Sequence, residues 1–344
     1  MKVTTLNDPT GVWRKRALLV EPTYGRGEPF RRRPTLREIR IEWLDAVGFW
    51  KDRGRLLPAL YAAYHLATLA VFVVFFARHF SIAAVAVVTG IATMIGTVFN
   101  TVWYHRYCTH RAFKFRSLWL ARLFLWTNPV CFREESYVIP HRIHHSKSDQ
   151  PGDPYGPHLG WLGSYLATES QQKVNRDLSR AEFERLAKSL EHIGFVRGSY
   201  EQFQRLGSVE NVWYYLARAM FASVFWMLLA YAVAKWQGIL GWISGVFLYS
   251  FLVRDFNFRG HAGYWGTHHI GVPLNQVFYG LIAGEWHENH HAYPRSAKAG
   301  LAWWQIDVPY WIIKGLTRCG AVIQYNSPPE GKVRHSKLIL PEAV

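Results

Sequence analysis

Four apolar segments, each near the length that crosses a lipid bilayer, constrain the fold of this 344-residue chain more than any other feature. A membrane-spanning helix needs about 20 consecutive apolar residues. The segments lie at about residues 56–76, 82–104, 212–234 and 239–258. Short turns join the first two segments and, at Trp236-Gln237-Gly238, the last two, so the sequence predicts two membrane hairpins.

The distribution of basic residues sets the expected orientation. Only Arg78 and Lys235 fall in the hairpin turns, whereas residues 1–55 carry 13 Lys and Arg. We therefore expect cytosolic termini and a cytosolic segment between the hairpins, in an integral protein of the cell inner membrane. The net charge of +16 is compatible with nucleic acid, but half of the residues are hydrophobic and 16% are aromatic, which favours membrane lipids over a nucleic-acid partner.

Three histidine clusters lie beside the apolar segments. They read His105-Arg106-Tyr107-Cys108-Thr109-His110, His141-Arg142-Ile143-His144-His145 and His287-Glu288-Asn289-His290-His291. Imidazole suits iron, copper, zinc and nickel, and positions i, i+3 and i+4 share one face of a helix, so each HxxHH cluster is expected to present its histidines to a common metal. The first cluster has its histidines at i and i+5, about 140° apart on a regular helix, so they should serve two metals or straddle a helix end.

Further polar residues are candidates for the same centre. Asn257 and His261 lie at i and i+4 at the cytosolic end of the fourth segment, where polar groups are expensive unless they are used. His261 is therefore a ninth candidate histidine, and Asn257 a direct or water-mediated partner. His268 and His269 form a less favoured pair in a glycine-rich loop. His65 is expected to hydrogen-bond between helices, and surface positions are expected for His79, His158, His192 and His335.

Ligating imidazoles usually donate their second N–H to a carboxylate or a carbonyl. The nearest acids in the sequence are Asp149, Asp153, Asp255, Glu285 and Glu288. Cys108 is expected to be a small apolar filler, and the three scattered cysteines cannot supply a zinc ribbon or hold an iron–sulfur cluster. The sequence has no dinucleotide fingerprint, phosphate loop or nucleophile elbow, so electrons for redox chemistry must come from elsewhere.

The segments outside the hairpins predict a helical cap. Leu118–Phe132 is apolar but interrupted, which is typical of an interfacial or re-entrant helix. Residues 165–207 are polar and helix-prone, and Leu301–Tyr325 is expected to be interfacial. The predicted fold is an all-α integral membrane protein with four transmembrane helices in two hairpins and a cytosolic helical cap that holds a di-metal centre. Its expected parts are a basic N-terminal segment at 1–55, a single membrane domain at 56–325 with its cap at 105–210 and 259–325, and a tail at 326–344.

The order HxxxxH, HxxHH, HxxHH with two membrane hairpins resembles the membrane fatty acyl desaturases, in particular the acyl-CoA (stearoyl-CoA-like) branch and its bacterial relatives. The stretch from His105 to Lys114 is similar to that branch's first histidine box, and the stretch from Gly284 to Pro294 is similar to its third. Asn257 and His261 look like an additional ligand pair of that branch. Trp303-Trp304-Gln305-Ile306-Asp307 is also family-like, and the resemblance covers about residues 55–325.

The resemblance implies a non-haem di-iron centre with O₂ as oxidant. Carried over by position, the metal ligands are His105, His110, His141, His144, His145, Asn257, His261, His287, His290 and His291. Iron and O₂ would remove two hydrogens from adjacent methylenes of an acyl chain, in a delta-9-like reaction on acyl-CoA. Electrons would come from a separate donor such as a cytochrome b5, rubredoxin or ferredoxin with its reductase.

Some positions depart from the pattern of that family. Pro140 stands before the second box, where an acidic or hydroxyl residue is common. Tyr155 follows Asp153-Pro154 where the family usually has histidine, and Glu288 replaces the usual asparagine of the third box, which also lacks one glycine before Trp286. These changes leave the ligands intact and bear on the substrate's headgroup and the double-bond position.

Three alternative functions stay open. An acyl-lipid desaturase or a fatty acyl hydroxylase would use the same metal core, because desaturation and hydroxylation share the hydrogen-abstraction step. Sterol-oxidising and carotenoid-hydroxylating relatives have HxxxH as their first box, and the i, i+5 spacing here argues against them. A membrane metal transporter should place its ligands at the bilayer midplane, whereas these clusters are expected at one surface.

Overall fold

The computed structural model describes residues 18–24, 33–148, 152–261 and 275–328, and this part of the chain is mostly helical. Its α-helices are α1 (Leu36–Val47), α2 (Leu56–His79), α3 (Ile82–Met94), α4 (Leu118–Thr127), α5 (Glu134–Lys147), α6 (Gly160–Tyr165), α7 (Ala167–Ser170), α8 (Arg180–Leu190), α9 (Tyr200–Leu206), α10 (Val212–Arg259), α11 (Val277–Ala283), α12 (His287–Ala292) and α13 (Val308–Arg318). A π-helical segment covers Ile95–Thr109, and single 3₁₀ turns cover Arg53–Arg55, Pro157–Leu159 and Glu191–Ile193.

Three helical stretches are long and apolar enough to cross a membrane: Arg53–His79, Ile82–Thr109 and Val212–Arg259. The third stretch, α10, is broken at Ala234 and Lys235, where φ is −142° and 54°. Trp226 and Trp242 stack across this break with ring centroids 4.7 Å apart, whereas a straight helix would separate them by about 24 Å. The chain therefore reverses direction at Ala234–Lys235, and the turn predicted at Trp236-Gln237-Gly238 is wrong by two residues.

The second long helix changes its winding at the first histidine cluster. It is α-helical over Ile82–Met94 and continues as the π-helical segment Ile95–Thr109. A π-turn closes through a hydrogen bond between residues five apart, and His110 donates its backbone N–H to the carbonyl oxygen of His105 at 3.1 Å. Residues at i and i+5 therefore lie on the same side of this segment.

A buried ion-pair network joins α10 to the cap. Arg218 bonds through Nε to Glu210 at 2.7 Å and through Nη2 to Glu134, the first residue of α5. Charges removed from water are stable only when they are paired and hydrogen-bonded. Trp103 and Asn128 each donate a further hydrogen bond to Glu134, at 3.1 and 3.0 Å. The network fixes the start of α5, and with it the second histidine cluster, against the long helices.

A two-stranded antiparallel sheet adds to the expected all-α architecture. Strand β1 (Phe113–Phe115) pairs with β2 (Val322–Tyr325), with Phe113 opposite Tyr325. Strand β1 follows the first histidine cluster, and β2 follows α13. The sheet thus ties the end of the cap to the end of the π-helical segment.

Four residues that the sequence analysis placed outside the metal ligands have structural contacts. His65 lies 2.8 Å from Tyr165 Oη and 3.1 Å from Ser250 Oγ, which confirms its expected role between helices. The surface expectation is wrong for His158, which is buried, and for His192, whose Nε2 lies 2.9 Å from the carbonyl oxygen of Cys108. Both occupy 3₁₀ turns that fold into the cap. Cys108 is fully buried in the main core.

Candidate metal centre

Four elements bring nine histidines into one buried volume. They are the π-helical segment with its C-cap, α5, the end of α10 and α12. The first group comprises His105, His110, His141, His145 and His290, and the second comprises His144, His261, His287 and His291. Within each group the ligand atoms lie within 4.8 Å of one another. Two imidazole nitrogens bound to one ion lie up to about 4.2 Å apart, so each group is close to the size of a site for one ion.

Each HxxHH cluster divides its histidines between the two groups, which corrects the expectation of one metal per cluster. In α5 the i, i+4 pair His141 and His145 joins the first group, and His144 joins the second. In α12 the arrangement is reversed, so the i, i+4 pair joins the second group. Positions i+3 and i+4 lie on opposite sides of i, about 100° apart, and therefore point to separate centres. His105 and His110 share the first group, because the cluster straddles the end of the π-helical segment.

Two carboxylates fix imidazole orientation as the sequence predicted. Glu285 Oε1 lies 2.9 Å from His105 Nδ1, and Asp153 Oδ1 lies 2.9 Å from His144 Nδ1. An ionised carboxylate only accepts hydrogen bonds, so each Nδ1 carries the hydrogen and each Nε2 keeps its lone pair. Burial raises the pKa of Glu285, but the opposing effects of His105, Arg106 and a hydrogen bond from Thr101 leave it lowered overall. Glu285 is therefore ionised near neutral pH.

The other acids proposed as imidazole partners do not serve in that role within the described chain. Asp255 accepts hydrogen bonds from Trp161 Nε1 at 2.7 Å and from Tyr279 Oη at 2.5 Å. Glu288 is partly exposed, and in the described part of the chain its carboxylate bonds to no imidazole. The residues that lie outside the described ranges are Asp149, His268, His269 and His335.

Two residues at the centre were missed by sequence reasoning. Tyr155 Oη lies 2.7 Å from His141 Nδ1, and the only signal was its departure from the family pattern. Arg106 is buried and pairs with Asp307 at 2.8 Å, while it donates a hydrogen bond to the carbonyl oxygen of Gly284 at 3.1 Å. Arg106 thereby fastens the chain around α12 to the π-helical segment. Its position inside the first cluster carried no sequence signal for this contact.

The approach of Nε2 atoms indicates a site built for cations. His290 Nε2 lies 2.9 Å from His105 Nε2 and 3.0 Å from His145 Nε2. The matching separations in the second group are 2.7 Å for His287–His261 and 3.1 Å for His291–His287. Where Nδ1 carries the hydrogen, these contacts bring lone pairs together, and a cation between them removes the repulsion. Within the described chain, neither ring nitrogen of the buried His110 has a hydrogen-bond partner.

Burial keeps these imidazoles neutral. Desolvation, reinforced by neighbouring imidazoles, lowers the pKa well below the ordinary value of 6.5 for His110, His141, His145, His287 and His290. The neutral ring is the form that binds metals. A set of nitrogen donors suits iron, copper, zinc or nickel, so the residues fit a centre of two such ions.

A cavity passes the histidines and continues between the long helices. Its lining at the centre includes His105, His141, His144, His261 and His287, with Asn257 one turn before His261. Farther in, it is lined by Ala92, Gly96, Tyr249, Ile282 and Ala283. At its other end it shares Tyr61, Phe132, Thr168 and Gln172 with a surface pocket that also contains Arg55, Lys173 and Arg176. The cavity is thus lined by the histidines and by apolar residues of the long helices, and it adjoins a charged surface pocket.

A buried histidine centre that could hold two metal ions thus lies beside a cavity that continues between long apolar helices. The family model described as fatty acid desaturase matches residues 81–316, which is more than half of the chain and includes both histidine groups. The chain belongs to the fatty acid desaturase family, whose members are oxidoreductases of lipid metabolism.

Relatives with different named substrates are similar to this chain. Delta-9 acyl-lipid desaturase 2 of Arabidopsis thaliana is 26% identical over 308 residues, which is 85% of this chain and 90% of the relative. The sn-1 stearoyl-lipid 9-desaturase of Synechocystis is 26% identical over 306 residues, covering 85% and 88%. Acyl-CoA 5-desaturase AL21 of Anemone leveillei is 28% identical over 248 residues, covering 68% and 69%. These names include both lipid and CoA carriers.

Proposed function

We propose that the chain is an O₂-dependent desaturase that introduces a double bond into a long acyl chain at a di-iron centre. The observation that carries this proposal is the contact between two buried groups of imidazoles and a cavity that continues between apolar helices. The family supplies the reaction class. The cavity supplies a place where an extended acyl chain would pass the ligands.

Two irons would be held by the nine histidines, five in the first group and four in the second. Asn257 lines the cavity beside His261 and His287 and would complete the second group, directly or through water. Imidazole accommodates several metals, and the family favours iron among them. The iron pair, when bound, would supply with O₂ the oxidising power that removes two hydrogens from adjacent methylenes.

The chain's own residues position the ligands and the substrate. Glu285 and Asp153 hold the rings of His105 and His144, so that their Nε2 atoms face the metal positions. The apolar part of the cavity, which includes Gly96, excludes water from the far half of the acyl chain. Exclusion of water strengthens electrostatic interactions at the centre and prevents side reactions.

We propose four membrane-spanning helices in two hairpins, α2 with α3 and its π-helical continuation, and the two arms of α10. The chain reversal at Lys235 supports the second hairpin. His105 and His110 lie at the end of the first hairpin and His261 follows the second, and the excess of basic residues outside the hairpin turns supports a cytosolic location for that side. Residues 56–325 would form one domain in the cell inner membrane.

The substrate would be a delta-9-like acyl-CoA, with an acyl lipid as the second candidate. Two of the similar relatives are named as desaturases of acyl lipids, and these names support the acyl lipid as the second candidate. Electrons would come from a separate ferredoxin, rubredoxin or cytochrome b5 with its reductase. The sequence has no dinucleotide fingerprint with which to bind a nicotinamide or flavin donor itself.

The test is expression in a desaturase-deficient host with an electron donor supplied, followed by fatty-acid mass spectrometry and double-bond mapping. The wild type and the control His79→Ala are expected to form an unsaturated acyl chain, and His144→Ala and His287→Ala are expected to lose it. Isolated membranes given acyl-CoA or lipid-bound acyl chains separate the two carriers. Absence of any product contradicts the proposal, and a hydroxylated product identifies a hydroxylase.

A further inference from the structure

Tyr155 contacts both histidine groups. Its side chain is buried, and its hydroxyl oxygen lies 2.7 Å from Nδ1 of His141, which belongs to the first group. Its ring stacks on His144, a member of the second group, with centroids 4.5 Å apart and an interplanar angle of 19°. Tyr155 also lines the cavity beside these histidines. One side chain therefore connects two metal positions and the proposed substrate path.

Tyr155 differs from the two carboxylate partners of the centre in its hydrogen-bond chemistry. Glu285 and Asp153, when ionised, can only accept from His105 and His144, so those rings are held in one tautomer. A phenol can donate or accept. The hydrogen bond between Tyr155 and His141 can therefore run in either direction, and the tautomer of His141 is open until something else fixes it.

Metal binding in the first group would fix the direction of the hydrogen bond between Tyr155 and His141. If Tyr155 donates, His141 carries its hydrogen on Nε2, which points at His145 Nε2 at 3.2 Å and cannot bind a metal. If His141 donates from Nδ1, its Nε2 lone pair is available to the first group, and the phenolic oxygen accepts. The hydroxyl hydrogen must then turn away from His141. Within the described residues the hydroxyl has no second partner, and the cavity is the space beside it.

We propose that Tyr155 is a positioning residue that selects the metal-binding tautomer of His141 and, in doing so, directs its hydroxyl hydrogen into the cavity. The inference rests on the proposed function, because it requires a metal in the first group. It gives the metal-loaded enzyme a hydrogen-bond donor beside the reacting part of the acyl chain. It also explains how a family position usually occupied by histidine is filled here by tyrosine while the ligands stay intact.

The test compares iron binding in three variants of the full-length protein in detergent. Tyr155→Phe removes the acceptor, and loss of such a partner typically weakens metal affinity 10–100-fold, so iron should fall from two toward one per chain after dialysis against a chelator. Tyr155→His restores an acceptor and should recover the second iron. Tyr137→Phe is the matched control, because Tyr137 stacks on His141 at 5.3 Å and lines the same cavity without that hydrogen bond.

Infrared difference spectra supply a readout that does not depend on activity. The iron-loaded minus iron-free spectrum of the wild type should contain a shifted tyrosine C–O band that is absent in Tyr155→Phe and present in Tyr137→Phe. Three results would each overturn this inference while leaving the proposed function intact. They are wild-type iron affinity in Tyr155→Phe, failure of Tyr155→His to recover iron, and absence of the band. A wild-type chain that binds no iron would overturn the proposed function as well.

Discussion

His110 donates its backbone N–H to the carbonyl oxygen of His105 at 3.1 Å, and the two imidazole rings lie 4.9 Å apart. On an α-helix these rings would point about 140° apart. The π-turn instead brings them into the same group. The i, i+5 spacing of the first cluster is thus the spacing that places two histidines on the same side of a π-helical segment, and the local winding is part of the candidate metal centre.

Thr109 should matter to this winding. Its buried hydroxyl donates to the carbonyl oxygen of Tyr104, five residues earlier, at 2.8 Å. Thr109→Val keeps the shape and removes the bond, so we expect a loss of about 1 kcal/mol of stability and weaker iron retention. Thr127→Val, which removes an ordinary bond to Leu123 in α4, is the control for loss of a threonine hydroxyl. Equal iron retention in the two variants would contradict the role of the π-turn.

Gly96 should limit the acyl chains that the cavity accepts. A Cβ at this position would lie 3.9 Å from Ala283 Cβ and from the Tyr249 ring, which is ordinary contact, so Gly96→Ala should retain activity. Gly96→Leu should fill the inner cavity and reduce turnover of 18-carbon chains several-fold more than that of shorter chains. Gly90→Leu is the control on the same helix, because a Cβ at Gly90 meets nothing within 4 Å. Chain-length profiles that coincide for the two leucine variants would contradict this prediction.

Arg106 should be essential for stability. It and its partner Asp307 are each 3% exposed. Arg106→Ala leaves the carboxylate buried without its cation, a change that typically costs about 3–5 kcal/mol. The melting temperature in detergent should fall sharply, together with iron content. Arg197→Ala, which breaks a solvent-exposed pair with Glu184, should change the melting temperature much less. A comparable fall of the melting temperature in both variants would show that the buried pair contributes no more to stability than the exposed pair.

Glu210 should make stability depend on pH. Burial, with the nearby carboxylates of Glu134 and Glu135, raises its pKa from 4.5 to about 7 despite the opposing effect of Arg218. Because the folded value lies above the unfolded value, this group's stabilisation is complete below about pH 4.5 and is lost as pH rises through about 7. The contribution of this group to the melting temperature should therefore fall between about pH 4.5 and pH 7 and level off at higher pH. Glu210→Gln should have a shallower dependence, and parallel curves for the two proteins would refute the assignment.

The sequence predicts that the nine histidines lie close together, but it does not predict how they divide between the two groups. Each HxxHH pattern indicates a shared helix face, and the structure brings all nine predicted histidines together. Which group receives His144 and which receives His290 depends on where α5 and α12 lie relative to the π-helical segment. The contact of Arg106 with Asp307 fastens the chain around α12 to that segment, and it joins residues about 200 positions apart, so it leaves no local pattern.

The position of the turn in the second hairpin could not be predicted from the sequence for a different reason. The turn predicted at Trp236-Gln237-Gly238 ends in a glycine, a residue that is common where the backbone reverses. The structure uses this glycine for close packing, since a Cβ at Gly238 would clash with the carbonyl oxygen of Ala230. Lys235 instead adopts the positive φ. Composition located the two apolar arms, whereas the position of the reversal depended on the contact between them.

The reversed division of the HxxHH clusters has a consequence for biogenesis. The first group needs His290 and the second needs His287 and His291, so neither set of ligands is complete until the last histidine box has left the ribosome. The first two boxes would be synthesised and lie in the membrane before the third box, about 145 residues later in the chain, is made. Under the proposed assignment, both irons are therefore acquired only after α12 has been made, and a nascent chain that stops before α12 has no complete site for either ion.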